Sequence, residues 1–164
     1  MRTRFWRQRT NIISATLTLI ASLLLTGCLG NDEEDWNGKN ISGLMPELEF
    51  DLINSQGELV SGSDYSGRVR MLFFGFTSCP DVCPTALQKL NQATSGLDPK
   101  LQDEVLTLFV SVDPNRDTPE RLAKYVDFFG DNIVGLTGKE PQLRELAKRY
   151  RTTFGYDEPD PDGN

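Results

Sequence analysis

The strongest constraint on the fold is an alternation of buried-strand and amphipathic-helix patterns from residue 70 onward. Mostly apolar runs at 70–76, 105–112 and 133–136 predict three buried strands. Apolar residues recur at helical spacing after each run: Leu87, Leu90 and Leu97 with Ala86 and Ala93, then Leu122, Val126 and Phe129, then Leu143, Leu146, Ala147 and Tyr150. This order predicts an α/β fold in which helices cover both faces of a central, mostly parallel sheet.

A short N-terminal hairpin is expected to precede this unit. Leu48, Phe50 and Leu52 alternate with acidic residues, which is the period of a half-buried strand. Turn-forming residues follow at 54–57, and residues 58–60 return as a second short strand. The hairpin therefore adds two strands to the predicted sheet.

The start of the chain has the pattern of an export signal. Four arginines precede a largely apolar stretch at 12–25, which is too short for a comfortable transmembrane helix. The stretch ends in Leu25-Thr26-Gly27-Cys28, which is similar to the lipobox of bacterial lipoproteins. The alternative is an ordinary signal anchor that ends near a cysteine. We predict a lipoprotein with its lipid on Cys28.

This signal defines the expected domain organisation and location. The chain would consist of a lipoprotein signal peptide at 1–27, an acidic flexible tether at 28–44 and a folded domain at 45–164. We expect an exported, membrane-anchored lipoprotein that faces the periplasm or the cell exterior. Without residues 1–27 the net charge is −11, because four arginines and no acidic residue are removed. Such an acidic chain argues against a nucleic-acid partner.

With Cys28 assigned to lipid, two cysteines remain, Cys79 and Cys83. They lie where a predicted buried strand gives way to a helix, whose N-terminus favours thiolate over thiol. A structural disulfide is one reading, but so short a loop adds little entropic stability, which favours a chemically active pair. Two adjacent thiolates can close a disulfide or bind a soft metal. Zinc needs two more ligands and the sequence has no histidine, whereas Cu(I) accepts low coordination.

Three segments of the sequence resemble the Sco/SenC family. Residues 74–84 match its Cys-x-x-x-Cys-Pro signature, residues 110–119 contain its Asp-Pro-x-x-Asp-Thr-Pro segment, and residues 135–138 fit as well. The resemblance covers roughly residues 45–156. It implies a thioredoxin-like fold, binding of copper as Cu(I) or Cu(II), and a role in building the copper centre of cytochrome c oxidase.

The resemblance also implies roles for individual residues. Cys79 and Cys83 would be the two sulfur ligands of copper and the redox thiols. Asp113 would lie just outside the ligands, although turn formation ahead of the next helix explains Asp113 and Pro114 equally well. The expected partner is the copper-bearing subunit of cytochrome c oxidase or another copper protein, with the membrane reached through the lipid.

One feature departs from the family pattern. The family completes its metal site with a histidine in an Asp-His-Ser segment, and the 164 residues contain no histidine. Residues 155–164 are similar to the stretch before that segment. We therefore expect the closing C-terminal elements and the third ligand to be missing from this sequence, and copper binding by two thiols to be weaker or intermolecular.

The predicted function is an extracytoplasmic copper metallochaperone, and three alternatives remain. The preferred alternative is an enzyme, a membrane-tethered thiol–disulfide oxidoreductase. Such enzymes use the same fold but usually space their cysteines two residues apart. A peroxidase relative also has a thiol at a strand-to-helix turn, but the second cysteine in the same turn counts against it. An inactive fragment with an exposed sheet edge is the last alternative.

Overall fold

The computed structural model describes residues 38–156. The predicted signal peptide, Cys28 and most of the predicted tether lie outside these residues. The contacts divide the chain into two units, Met1–Ser42 and Gly43–Asn164, and every helix and strand described belongs to the second. No helix in the described residues is long and apolar enough to cross a bilayer.

The second unit contains one five-stranded mixed sheet with the order β2-β1-β5-β4-β3. The strands are β1 (Asp51–Asn54), β2 (Leu59–Ser61), β3 (Val69–Gly75), β4 (Val105–Ser111) and β5 (Ile133–Thr137). The last three run parallel, and β1 pairs antiparallel with both β2 and β5. The predicted mostly parallel sheet with an N-terminal hairpin is therefore confirmed, and β5 is the strand that joins the hairpin to the parallel part.

Helices follow the parallel strands as predicted. They are α1 (Val82–Ser95), α2 (Pro99–Gln102), α3 (Pro119–Asp127) and α4 (Glu140–Arg149), and a short 3-10 turn spans Gly62–Tyr65. The one-turn helix α2 was not expected from the sequence. Its start is explained by Asp98, whose side chain accepts a hydrogen bond from the Lys100 N–H, and by proline at the first helical position.

Several boundaries differ from the sequence prediction, and two of the differences matter for the core. The first strand begins at Asp51, but Leu48 and Phe50 still pack against the core from the segment before it. Helix α1 ends at Ser95, so the prediction that Leu97 lies on its buried face is wrong. Leu97 is 40% exposed in the turn that leads to α2.

The core occupies both faces of the sheet, and β4 contributes buried side chains to each face. Leu106, Leu108 and Val110 face the cluster that includes Leu143 and Leu146 of α4. Phe109 faces the other cluster, which is formed by Leu87 of α1, Leu122 and Val126 of α3, Phe129 and Ile133. Alternate residues of a strand point to opposite faces, so a continuous apolar strand is what a doubly covered sheet requires. The carboxyl ends of β3 and β4 meet at one edge, and this edge carries the cysteines.

Candidate metal and thiol site

Cys79 and Cys83 flank the N-terminus of α1, at the carboxyl end of β3. Cys83 is the second residue of the helix and is buried, whereas Cys79 lies in the preceding loop and is partly exposed. Both are free thiols. The structure thus brings together the two residues that the sequence singled out, with one sulfur near solvent and the other inside the fold.

Several backbone N–H groups lie close to the Cys79 sulfur. The Cys83 N–H donates a hydrogen bond to it over 3.4 Å, and the N–H groups of Asp81 and Val82 also act on it. Desolvation alone would raise the pKa of Cys79, but these donors and the Cys83 thiol together lower it below its ordinary value. The structure therefore favours a thiolate at Cys79, in keeping with the first turn of a helix.

Cys83 has the opposite environment. Burial is the main cause that raises its pKa to about 11, and the neighbouring Cys79 and Asp117 raise it further despite a backbone hydrogen bond from Phe76. Its sulfur packs over Gly75, where an added Cβ would lie 2.9 Å from the sulfur. A side chain at position 75 would therefore displace the thiol, so glycine is required there for close approach of the strand.

A fully buried aspartate, Asp117, holds the loop that carries Cys79. Its carboxylate accepts hydrogen bonds from the Thr77 N–H at 2.9 Å, the Thr77 hydroxyl at 2.5 Å and the Ser111 hydroxyl at 2.6 Å. Arg121 of α3 adds bonds from its guanidinium to Thr77 Oγ1 at 2.7 Å and Ser78 Oγ at 2.9 Å. This network connects the loop before Cys79 to β4 and α3, and it thereby fixes the position of that loop.

Asp117 was not identified from the sequence as a site residue. It lies in the Asp-Pro-x-x-Asp-Thr-Pro segment, directly before the Thr118 cap of α3, and a polar residue there is expected at a helix start for local reasons alone. Two of its three hydrogen bonds come from Thr77, 40 residues earlier in the chain, and the third comes from Ser111. No local pattern shows such a pairing.

Asp113 has contacts that differ from those of Asp117. Its carboxylate pairs with the Arg116 guanidinium, and its backbone carbonyl accepts from the N–H groups of Arg116 and Asp117. Its own N–H donates to Ser111 Oγ at 3.1 Å. These contacts belong to the turn between β4 and α3. A role for Asp113 next to copper stays a prediction.

The segment after α4 returns to the same edge of the sheet. The Tyr156 hydroxyl donates to the Val112 carbonyl at 2.6 Å, and the Val112 N–H in turn donates to Gly75 O at 2.8 Å. The Arg144 guanidinium lies 4.7 Å from the ring centre of Phe154, a favourable cation–π distance. Tyr156 is thereby tied to the residue that follows β4, whereas Phe154 is held against α4.

The thiol pair supplies a soft donor set. The two thiols are close enough to affect each other's pKa, and thiolates are preferred ligands of Cu(I). In residues 38–156 no group of three or more His, Cys, Asp or Glu side chains is arranged to hold a metal ion. Two thiolates are a soft donor set of the kind that Cu(I) accepts.

The chain is similar in sequence to known proteins. The SCO1/SenC family model matches residues 43–164. The human mitochondrial SCO1 homolog is 42% identical over 106 residues, which are 64% of this chain and 35% of that protein. The sco1 protein of Schizosaccharomyces pombe is 37% identical over 105 residues, which are 64% of this chain and 40% of that protein. The chain thus spans less than two thirds of the length of these relatives.

Solved structures show the same likeness. Yeast Sco1 with copper bound has a TM-score of 0.65 and 32% identity, and the match covers 73% of this chain and 67% of the yeast chain. Bradyrhizobium japonicum ScoI with copper bound also has a TM-score of 0.65, with 34% identity over 71% of this chain and 73% of that chain. The α/β fold with its central sheet and flanking helices is therefore the thioredoxin-like fold of the Sco proteins.

Proposed function

The chain belongs to the SCO1/SenC family, and on that premise we propose that it is an extracytoplasmic copper-binding metallochaperone. In this proposal Cys79 and Cys83 bind Cu(I), and the bound ion is cargo for assembly of the copper centre of cytochrome c oxidase. The observation that carries the proposal is the pair of free thiols at the start of α1, in a family whose yeast and Bradyrhizobium members have structures with copper bound.

The different environments of the two thiols indicate an order of capture. Cys79 is partly exposed and its pKa is lowered, so its thiolate would meet an incoming Cu(I) first. Cys83 would follow by losing its proton to solvent as its sulfur bonds to the metal. Because burial and the nearby negative charges oppose an anion at Cys83, the cation compensates for a charge that the apo site disfavours.

The same asymmetry supports the second candidate, a thiol–disulfide oxidoreductase. An exposed cysteine of lowered pKa beside a buried one suits attack on a disulfide and later resolution of the mixed disulfide. In that reaction both cysteine thiols would be oxidised to the Cys79–Cys83 disulfide while the target disulfide gains two electrons and two protons.

Copper retention and disulfide reduction distinguish these candidates. The reduced full-length protein is expected to retain Cu(I) in competition with a colorimetric chelator and to reduce insulin slowly. A C-x-x-C thioredoxin serves as the positive control for insulin reduction. Rapid insulin reduction without Cu(I) retention would reject the chaperone and favour the oxidoreductase.

We further propose that Cys28 carries a lipid that anchors the protein to a membrane. The lipobox-like Leu25-Thr26-Gly27-Cys28 supports this proposal. Cys28→Ser is expected to move the processed protein from the membrane pellet to the soluble fraction and to remove the lipid from its intact mass. Sedimentation of processed Cys28→Ser protein with the membranes would contradict the lipid anchor.

A further inference from the structure

A groove beside α4 plays no part in the proposed function. Its volume is about 640 Å³, within the range of roughly 300–1,000 Å³ that is typical of ligand-binding clefts. It is lined by residues 47–52, by residues of the turn at 61–66, by Arg70 and by α4. Leu146 of α4 belongs to the core cluster on this face of the sheet, whereas Cys83 packs beside Phe109 of the opposite cluster. The sheet therefore separates the groove from the thiol site.

Acidic and apolar side chains alternate along the first of these segments. Glu47, Glu49 and Asp51 are exposed, and Leu48 and Phe50 between them are partly buried against the core. The sequence pattern predicted a strand here, but β1 begins only at Asp51, so the residues before it have no partner strand in the described part of the chain. All five residues line the groove, which therefore offers apolar surface between acidic side chains.

The groove carries an excess of negative charge. Four carboxylates and two guanidinium groups line it, which leaves a net charge of −2. Glu49 is paired with Arg149 at 2.6 Å, and the Arg70 guanidinium donates to Gly62 O at 3.4 Å. The remaining carboxylates form no ion pair within the described residues, and they are those of Glu47, Asp51 and Glu145. Lysine or arginine side chains of a partner would complement them.

The groove is formed before any ligand binds. The Gln142 amide donates to Asp51 O at 2.8 Å, and the Gly62 N–H donates to Phe50 O at 3.2 Å. Gly62 also lies so close to the segment that an added Cβ would overlap Leu48 O. Helix α4 and the turn at 61–66 thus hold the acidic and apolar segment from two sides, which lowers the cost of ordering it when a partner binds.

We propose that this groove is a docking surface for a basic, amphipathic segment of a partner protein. In the complex, apolar side chains of that segment pack on Leu48 and Phe50. Its lysine or arginine side chains pair with Glu47, Asp51 and Glu145. The charge of the groove favours such a segment over an acidic or a purely apolar one. The inference does not depend on copper, because the groove and the thiols lie on opposite faces of the sheet.

The probe is a fluorescently labelled heptapeptide in which lysine and leucine alternate. Fluorescence anisotropy with the reduced full-length protein measures its affinity. Glu47→Gln, Asp51→Asn and Glu145→Gln are combined in one groove variant, and removal of these three charges is expected to raise the dissociation constant roughly 10-fold. All three side chains are exposed, so the variant should fold as the parent does. A lysine–serine heptapeptide, which lacks the apolar side chains, should bind the parent more weakly than the lysine–leucine peptide.

The matched control removes the same charge outside the groove. Asp103→Asn, Glu104→Gln and Asp127→Asn neutralise three exposed carboxylates that do not line it. This variant should change the dissociation constant less than about 2-fold, because screening by salt weakens distant charges. Equal losses in the two variants would show general attraction to an acidic protein and would overturn the inference. Equal affinity for the two peptides, or the absence of saturable binding by the parent, would overturn it as well.

Two further measurements separate this surface from the thiol site and from self-association. Cys79→Ser should bind the lysine–leucine peptide as the parent does, whether or not the parent retains Cu(I), and loss of peptide binding in Cys79→Ser would contradict the placement in the groove. Sedimentation velocity tests a second copy of the chain as the occupant. A dimer that the groove variant loses and that the peptide does not dissociate would overturn the inference in favour of that second copy.

Discussion

Cys79→Ser and Cys83→Ser are each expected to abolish Cu(I) retention. Each substitution replaces a soft thiolate with a hydroxyl that Cu(I) binds poorly, and in the described residues no third cysteine stands near the pair. Loss of a group outside the ligands commonly weakens metal binding about 10–100-fold, so loss of one of two ligands should exceed about 100-fold. Chelator competition with the reduced full-length protein measures the effect.

Val82→Ser is the matched control for both variants. Val82 lies in the same helical turn, between the two cysteines, and is 69% exposed. The substitution introduces the same hydroxyl without removing a thiol or altering the core. The variant should therefore retain Cu(I) as the parent does. Unchanged far-UV circular dichroism is required of all three variants, because Cys83 is buried beside Phe109 and its substitution also changes packing.

The remaining thiol in each variant provides a second check. Cys79 in Cys83→Ser should react readily with iodoacetamide near neutral pH, because three backbone N–H groups still favour its thiolate. Cys83 in Cys79→Ser should react slowly, because burial raises its pKa. Stoichiometric Cu(I) binding by either serine variant would reject the two-thiolate site.

The fold was predictable because its signals are local. The continuous apolar run of β4 indicated a strand buried on both faces, and the helical spacing of Leu122, Val126 and Phe129 placed α3 on one of them. The helical spacing also extended the first helix to Leu97, which the chain in fact places in a turn. Periodicity continues past a helix end when the next residue is apolar, so boundaries are less certain than elements.

The site was predictable only in part. The cysteine spacing and the strand-to-helix turn are sequence features, and both lie where expected. The groups that position them are not all local, since Asp117 bonds to Thr77, which lies 40 residues earlier in the chain.

Asp117→Asn is expected to have the largest effect on stability, a loss of about 2–4 kcal/mol in the free energy of unfolding. The buried carboxylate accepts three hydrogen bonds, and all three come from donors of Thr77 and Ser111. An asparagine keeps one acceptor oxygen and turns the other side into an NH2 donor that faces donors. At least one buried donor is then left unpaired, and the attraction to Arg121, 3.7 Å away, is lost.

Asp113→Asn is the matched control from the same turn, and it should cost less than about 1 kcal/mol. The Asp113 carboxylate pairs with Arg116, whose side chain is 40% exposed, and its backbone bonds do not depend on the charge. Urea unfolding of the copper-free, reduced proteins compares the two variants. Because Asp117 holds the loop before Cys79, its variant should also lose Cu(I) affinity under conditions where it remains folded. Equal unfolding midpoints for the two variants would show that Asp117 does not brace the cysteine loop, since the local turn contacts that they share would then account for the stability of both.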